Sequence, residues 1–399
     1  MREYIPYAQH TIDDEDIRHV NQAMTSGVIT RGKMVEAFEQ EIGRYCDVPY
    51  VVAFNSGTTA LHAACHVFSP TSHDRIITTP NTFVGTISGA MGYGCKLELV
   101  DIDEKTGNIE HDALVERVLY CSSRGRNIVI PVHYSGIAFD TPRFERELTD
   151  PDTHIIEDAC HALGSLYPNG EKVGSGRYSD MTVFSFHPAK TITTGEGGAV
   201  TTRNEEYYRR LLSFRNNGIE RSPEHMSENP GPWYYDVVET TGNYNVTELQ
   251  AALGVSQMKK VEGFVSRRRH LMGLYRQHLK SVKNVVMSPA SYDESTGYHL
   301  CSVQIDFGGC GTTRKDVMEA LHDRGIGTQV HYVPLYRHPF YKNMYKGNTE
   351  PSAEDYPHAE AFYSKELTLP LFPAMSDEDV AHICETLKSI LKSQKKVAL

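Results

Sequence analysis

At 399 residues, 40% of them hydrophobic and 23% charged, the chain is long enough for a large core and a smaller companion, outside the disordered and fibrous classes. A formal charge of −11, with basic residues scattered rather than striped, leaves no electrostatic footprint for a nucleic acid. No apolar run approaches the roughly 20 residues of a bilayer-crossing helix, Met1 to Gln9 carries no basic-then-apolar leader, and eight dispersed cysteines contain no C-x-x-C. These features set the expectation of a cytoplasmic protein with free thiols, no metal site and no membrane partner.

In chain order, two helices are expected first, over residues 11–25 and 33–45, the former opened by a Thr11-x-x-Asp14 cap. Seven short β-branched runs follow, at residues 50–54, 75–79, 96–101, 127–132, 153–157, 181–186 and 198–202. Helical patterns at 58–68, 83–91, 111–120 and 143–148 lie between them, the alternation that builds parallel strands with crossover helices. A helix at 205–214 precedes a Pro/Gly-rich stretch, 222–233, which reads as an ordered loop or a surface insertion. A long helical pattern then runs from 245 to 280, and its Arg267, Arg268, Arg269 and Arg276 read as a solvated face. A strand at 298–305 and helices at 314–324 and 377–393 complete a smaller α+β unit. The fold class is therefore α/β, a mostly parallel seven-stranded sheet covered by helices, with one domain over residues 1–250 and another over 251–399.

Three segments carry chemistry. In Ser185-Phe186-His187-Pro188-Ala189-Lys190-Thr191, a lysine leaves a buried strand for a Gly/Thr-rich turn, where burial can lower its pKa and make it an amine nucleophile. Ile155-Ile156-Glu157-Asp158-Ala159-Cys160-His161 ends another strand in acids, at the sheet edge where ligands bind, although a helix cap would look the same. Asn55-Ser56-Gly57-Thr58-Thr59 turns a strand into a helix whose first N–H groups suit a phosphate.

Together these segments resemble the fold-type I pyridoxal 5'-phosphate (PLP) enzymes, and among them the DegT/DnrJ/StrS nucleotide-sugar aminotransferases. The resemblance spans nearly the whole chain, through GVITRGKMVEAF (27–38), FNSGTTAL (54–61), TPNTF (79–83), VDID (100–103), EDACHALG (157–164), SFHPAKTITTGEGGAV (185–200) and HYVPLY (331–336). It implies a Schiff-base lysine at Lys190 and Asp158, rather than Glu157, on the pyridine nitrogen. It further implies Gly57, Thr58 and Ser185 on the cofactor phosphate, Phe83 and His161 on the two faces of the ring, and His331 and Tyr332 toward the sugar. Asn243 would reach the phosphate of a second subunit, giving a homodimer with shared sites. Asn245 departs from the family, which usually has Arg there.

Within the family, the runs 161–174, 185–200 and 327–341 are most similar to the transaminases of pseudaminic acid biosynthesis. That resemblance implies glutamate as amino donor and a UDP-linked 2-acetamido-2,6-dideoxy-4-keto-hexose as acceptor. In the run from His331 to Lys342, Tyr336, His338 and Tyr341 suit a sugar cleft, and Arg337 or Lys342 a diphosphate. A GDP- or dTDP-linked keto-sugar or a keto-cyclitol is the alternative. A dehydratase would replace Lys190, and a regulatory protein on the same scaffold would need a basic recognition helix or a damaged site.

Overall fold

The computed structural model describes residues 4–122, 124–289, 293–344 and 351–394. Helices α1 (Asp14–Thr25) and α2 (Lys33–Cys46) precede strand β1 (Tyr50–Phe54) and helix α3 (Gly57–Val67). Then come β2 (Arg75–Thr78), α4 (Gly85–Met91), β3 (Lys96–Leu99), α5 (His111–Cys121), β4 (Asn127–Val129), α6 (Thr141–Glu147), β5 (Thr153–Asp158), β6 (Met181–Ser185) and β7 (Gly198–Thr202). Past α7 (Glu205–Arg215), a short ribbon joins β8 (Ile219–Glu220) and β9 (Asp236–Val237), and α8 (Glu248–Met258) and α9 (Val261–Leu279) follow. The chain ends with β10 (Val285–Ser288), β11 (Cys301–Ile305), α10 (Arg314–His322), α11 (Pro339–Met344), α12 (Pro357–Lys365), β12 (Glu366–Leu369) and α13 (Asp377–Gln394).

All seven expected strands form one sheet in the order β1-β7-β6-β5-β4-β2-β3. Strands β2 to β6 pair in parallel, while β7 runs antiparallel to both neighbours. That reversal brings three strand ends to one edge, because Gly198 opens β7 opposite both Phe54 and Ser185. A smaller antiparallel sheet, β10-β11-β12, packs its buried Val303, Ile305, Leu367 and Leu369 against α9, α10 and α13 in a separate core. Ile5, from the N-terminal segment, joins that same core. Among the described residues no helix is long and apolar enough to cross a membrane, and the eight cysteines are free.

Three expectations are corrected. The cap of α1 is Asp13, whose carboxylate takes the N–H groups of Glu15 and Asp16, with the Asp16 side chain returning to Asp13. Asp wins over Thr11 because it stands directly before the helix and its ionised oxygens attract the first-turn amides more strongly. The 245–280 pattern is two helices, divided at Lys259–Lys260, where the Lys260 ammonium is held by Asp13 at 2.6 Å and Asp16 at 2.9 Å. The arginine run is no solvated face either. Positions 261, 265, 268, 272 and 275 fall on one side of α9, so Arg268 is turned inward and is 1% exposed. Its guanidinium donates to the carbonyl oxygens of Leu371 (2.9 Å), His299 (3.2 Å) and Lys190 (3.4 Å). Arg267 pairs with Asp377, Arg269 with the carbonyls of Thr296 and Gly164, and Arg276 with that of Pro289. The loop at 222–233 is ordered by Asp236, which accepts from Ser227, but its Trp233 is 71% exposed.

Candidate active site

The strand ends converge on a cleft of about 700 Å³ between the large sheet and the segment 329–338. Lys190 lies in the tight turn after β6, which its own N–H closes onto the carbonyl of His187 at 2.8 Å. Burial lowers the pKa of its ammonium, against the opposing pull of Cys160 and Asp158, so the neutral nucleophilic form is the easier to reach.

Consecutive residues at the end of β5 face opposite ways, as a strand demands. Glu157 points beneath the sheet, fully buried, and accepts from Thr141 (2.5 Å), Tyr167 (2.7 Å), Ser179 (2.7 Å) and Thr182 (2.9 Å). Asp158 points into the cleft. Its Oδ2 takes the Thr86 hydroxyl at 2.7 Å, Thr86 is itself 2.6 Å from Thr82, and its Oδ1 takes the Cys160 N–H at 3.1 Å. Asp158 is thus the carboxylate that can reach a ring nitrogen, and Glu157 is committed elsewhere.

The start of α3 forms an anion cradle. The Ser56 hydroxyl takes the Thr59 N–H at 3.1 Å and the Ser56 carbonyl that of Ala60, which leaves Gly57 and Thr58 as the orphan donors of the first turn among the described residues. A Cβ on Gly57 would lie 2.8 Å from that of Ser185, and one on Gly198 only 2.5 Å from the Ser56 carbonyl. Helix start, Gly198 and the Ser185 hydroxyl therefore close on one another only because both positions are glycine. That cradle, with Lys190 and Asp158 beyond it, fits a phosphate-bearing pyridine aldehyde.

Phe83, 56% exposed, and His161, 6% exposed, both line the cleft. The His161 ring lies 6.1 Å from that of Tyr332 and 4.4 Å from that of His299, with Phe83 6.2 Å from Tyr332. The Ser135 N–H reaches His161 Nδ1 at 3.3 Å, so the ring proton sits on Nε2, 3.0 Å from the Tyr332 oxygen. Burial and then Lys190 hold the His161 imidazole well below its ordinary pKa, and the same causes take His331 down to about 3. Both rings are neutral near pH 7.

Asn243 is not among the residues around this cleft. It is exposed, bridged to Asn216, and accepts from the Asn245 amide at 2.8 Å. Asn245 also donates to Asn216 at 3.2 Å, a neutral contact where the family usually has a cation. Of the expected sugar run, His331, Tyr332 and His338 line the cleft, while Tyr336 and Tyr341 turn into the core beside Leu335. Arg337 is taken by Glu360, its Nε 2.7 Å from the carboxylate, and Tyr336 donates to that same carboxylate. The 3₁₀ turn at Leu335–Arg337 thus buries Tyr336 and pairs Arg337 with Glu360. Tyr7, Thr86 and His299 belong to the cleft or its support without having been singled out. They come from distant parts of the chain with no local motif, and only the HYVPLY neighbourhood could have hinted at partners.

A PLP aminotransferase fold with a lysine, a cleft-facing aspartate and a helix-start cradle is the class these features define. Residues 10–388 match the model of the DegT/DnrJ/EryC1/StrS aminotransferase family. The UDP-4-amino-4,6-dideoxy-N-acetyl-beta-L-altrosamine transaminase of Campylobacter jejuni is 32% identical over 394 residues, covering 98% of this chain and 99% of its own. The Helicobacter pylori PseC structure, an aminotransferase of pseudoaminic acid biosynthesis, superposes with a TM-score of 0.88 at 29% identity, covering 98% and 100% of the two chains. The PLP form of a putative sugar aminotransferase from Streptococcus pneumoniae gives 0.87 at 27%, covering 98% and 99%. The chain belongs to the DegT/DnrJ/EryC1/StrS aminotransferase family. It is a PLP-dependent sugar aminotransferase, close to the enzymes of pseudaminic acid pathways.

Proposed function

We propose that this enzyme moves the amino group of glutamate to C4 of a UDP-linked 2-acetamido-2,6-dideoxy-4-keto-hexose, releasing 2-oxoglutarate and the 4-amino sugar. The observation that carries the reading is the meeting of Lys190, Asp158 and the Gly57–Ser185 cradle in one cleft whose open side holds His331, Tyr332 and His338. Similarity over nearly full length to the Campylobacter transaminase supports the choice of sugar.

PLP, when bound, supplies the electron sink that lets an amino group leave one carbon skeleton and join another. Lys190 would hold the cofactor covalently and, once the donor's amine has displaced its own, would move the proton at the reacting carbon. Asp158 keeps the ring nitrogen protonated, with Thr86 fixing its carboxylate. Gly57, Thr58 and Ser185 bind the phosphate, and Phe83 and His161 hold the ring between them. The partner subunit's Asn243 completes the phosphate site, so the working unit is a homodimer in the cytoplasm. In this reading residues 1–250 carry the cofactor and residues 251–399 form the smaller domain.

Purified enzyme given PLP, glutamate and 4-keto sugars on UDP, dTDP and GDP tests the reading by the rate of 4-amino sugar formation. A preference for dTDP or GDP overturns the nucleotide. Borohydride reduction followed by peptide mapping should label Lys190, and a label on another lysine overturns the site. Sedimentation at assay concentration should show a dimer, and a fully active monomer refutes the shared site.

A further inference from the structure

Behind the cleft, His331 is tied to a second buried glutamate that no motif singles out. Its Nδ1 lies 2.8 Å from the Thr368 hydroxyl oxygen, and that same oxygen lies 2.6 Å from Glu366 Oε1. Glu366 Oε2 takes the His331 main-chain N–H at 2.9 Å, so the carboxyl group is fixed at both oxygens. Glu366 and Thr368 are 0% and 1% exposed on β12, and His331, 7% exposed, lines the cleft. With Nδ1 engaged, Nε2 is the ring atom left for a ligand.

A hydroxyl has one proton to give. When Glu366 is ionised its oxygen claims that proton, so His331 Nδ1 must be the donor to Thr368 and Nε2 carries a lone pair. When Glu366 is protonated it donates to Thr368, the hydroxyl turns to Nδ1, and the ring proton moves to Nε2. We propose that Glu366, acting through Thr368, is the positioning residue that sets His331 Nε2 as acceptor toward a sugar hydroxyl in one state and as donor in the other. This rests on the reading that the cleft takes a sugar.

The surroundings allow the switch near neutrality. Burial raises Glu366 to about 7, against the Thr368, His331 and Ser302 hydrogen bonds and the Arg314 guanidinium, which lower it. Arg314, from α10, donates to the Glu366 main-chain carbonyl at 3.2 Å rather than to the carboxylate. The other titratable groups facing it are the phenols of Tyr134 and Tyr332 and the thiol of Cys301 on β11, all pushed upward by burial and so neutral. His331 is neutral throughout, since burial and Lys190 across the cleft hold it at about 3. The relay therefore exchanges tautomers without moving net charge onto the ring.

The holoenzyme labelled with ¹⁵N-histidine tests this by long-range ¹H–¹⁵N correlation, with His331 assigned from its loss in His331→Gln. Toward about pH 8, Nδ1 should be pyrrole-like and Nε2 pyridine-like, and toward about pH 6 the two should exchange. Thr368→Ser should keep the exchange, and Thr368→Val and Glu366→Gln should abolish it. A wild-type tautomer that stays constant over this range, or an exchange that persists in Thr368→Val, overturns the proposal. In single-turnover assays, Thr368→Val should lower kcat/KM by about tenfold with the UDP-keto-sugar and leave the glutamate half-reaction unchanged, with Thr368→Ser restoring it. Equal losses in both halves also overturn it. The resonance experiment contains no sugar, so its failure is distinct from failure of the substrate assignment.

Discussion

Two glutamates, Glu157 under the large sheet and Glu366 under the small one, are equally buried and end with opposite charge tendencies. For Glu157 burial pushes the pKa up, but the His133 imidazole, 3.1 Å away, and the hydroxyls converging on its two oxygens bring it down to about 2. The Phe139 N–H occupies His133 Nδ1, which leaves Nε2 as the ring atom beside the carboxylate, 3.1 Å away. Glu366 receives fewer donors and has no imidazole beside its carboxylate oxygens, and burial prevails, taking it to about 7. The contrast teaches that the count and kind of donors decide whether a buried acid is a fixed anion or a titrating one. The first suits a girder beneath the cofactor strand, the second a group that answers to pH.

The largest effect should come from setting Glu157 against its neighbour on β5. Asp158→Asn should lower turnover by about a thousandfold while PLP still binds, as general roles at the reacting ring are worth several orders of magnitude. Glu157→Gln should instead leave kcat within a fewfold in the folded fraction and cost about 3 kcal/mol in denaturant unfolding, since it strands donors built for an anion. Turnover lost equally in both would erase the distinction between cleft-facing and sheet-facing acids.

The pH dependence of stability should sharpen the comparison. Glu157, lowered from 4.5 to about 2, contributes roughly 3 kcal/mol that is present above about pH 4.5 and is lost as pH falls toward 2. Glu366, raised from 4.5 to about 7, has the opposite sign, its stability complete below about pH 4.5 and lost as pH rises through 7. Glu366→Gln should therefore be close to neutral at about pH 5 and stabilising by about 1 to 3 kcal/mol at about pH 8, read from Tm across that range. A variant destabilised equally at both values would show that Glu366 is held as an anion after all. The smallest change tests the donor count itself. Tyr167→Phe removes one of the hydroxyls on Glu157, at 2.7 Å, and should cost about 1 kcal/mol while moving the acid limb of the stability profile upward.

Much of this was legible along the chain. The seven strands, the ends of β5 and β6 and the Gly57 turn were readable because a buried strand leaves a continuous apolar run and its end leaves a change of residue type at a fixed place. Arg268 misled, since a charged residue at a core-facing helical position is readable only when its carbonyl partners are known, and those come from residues 190, 299 and 371. Tyr336 and Arg337 misled for the same reason, as Glu360 lies beyond a turn with no periodic signal.

The amino-acid sequence by itself determined the layered α/β architecture and offered a lysine and a pair of acids at strand ends, because local periodicity and strand-end chemistry are properties of neighbouring residues. Only the tertiary structure decided which of Glu157 and Asp158 meets the cleft, that Arg268 is buried, and that Thr368 joins Glu366 to His331, because burial and hydrogen-bond partners are set by residues up to hundreds of positions apart.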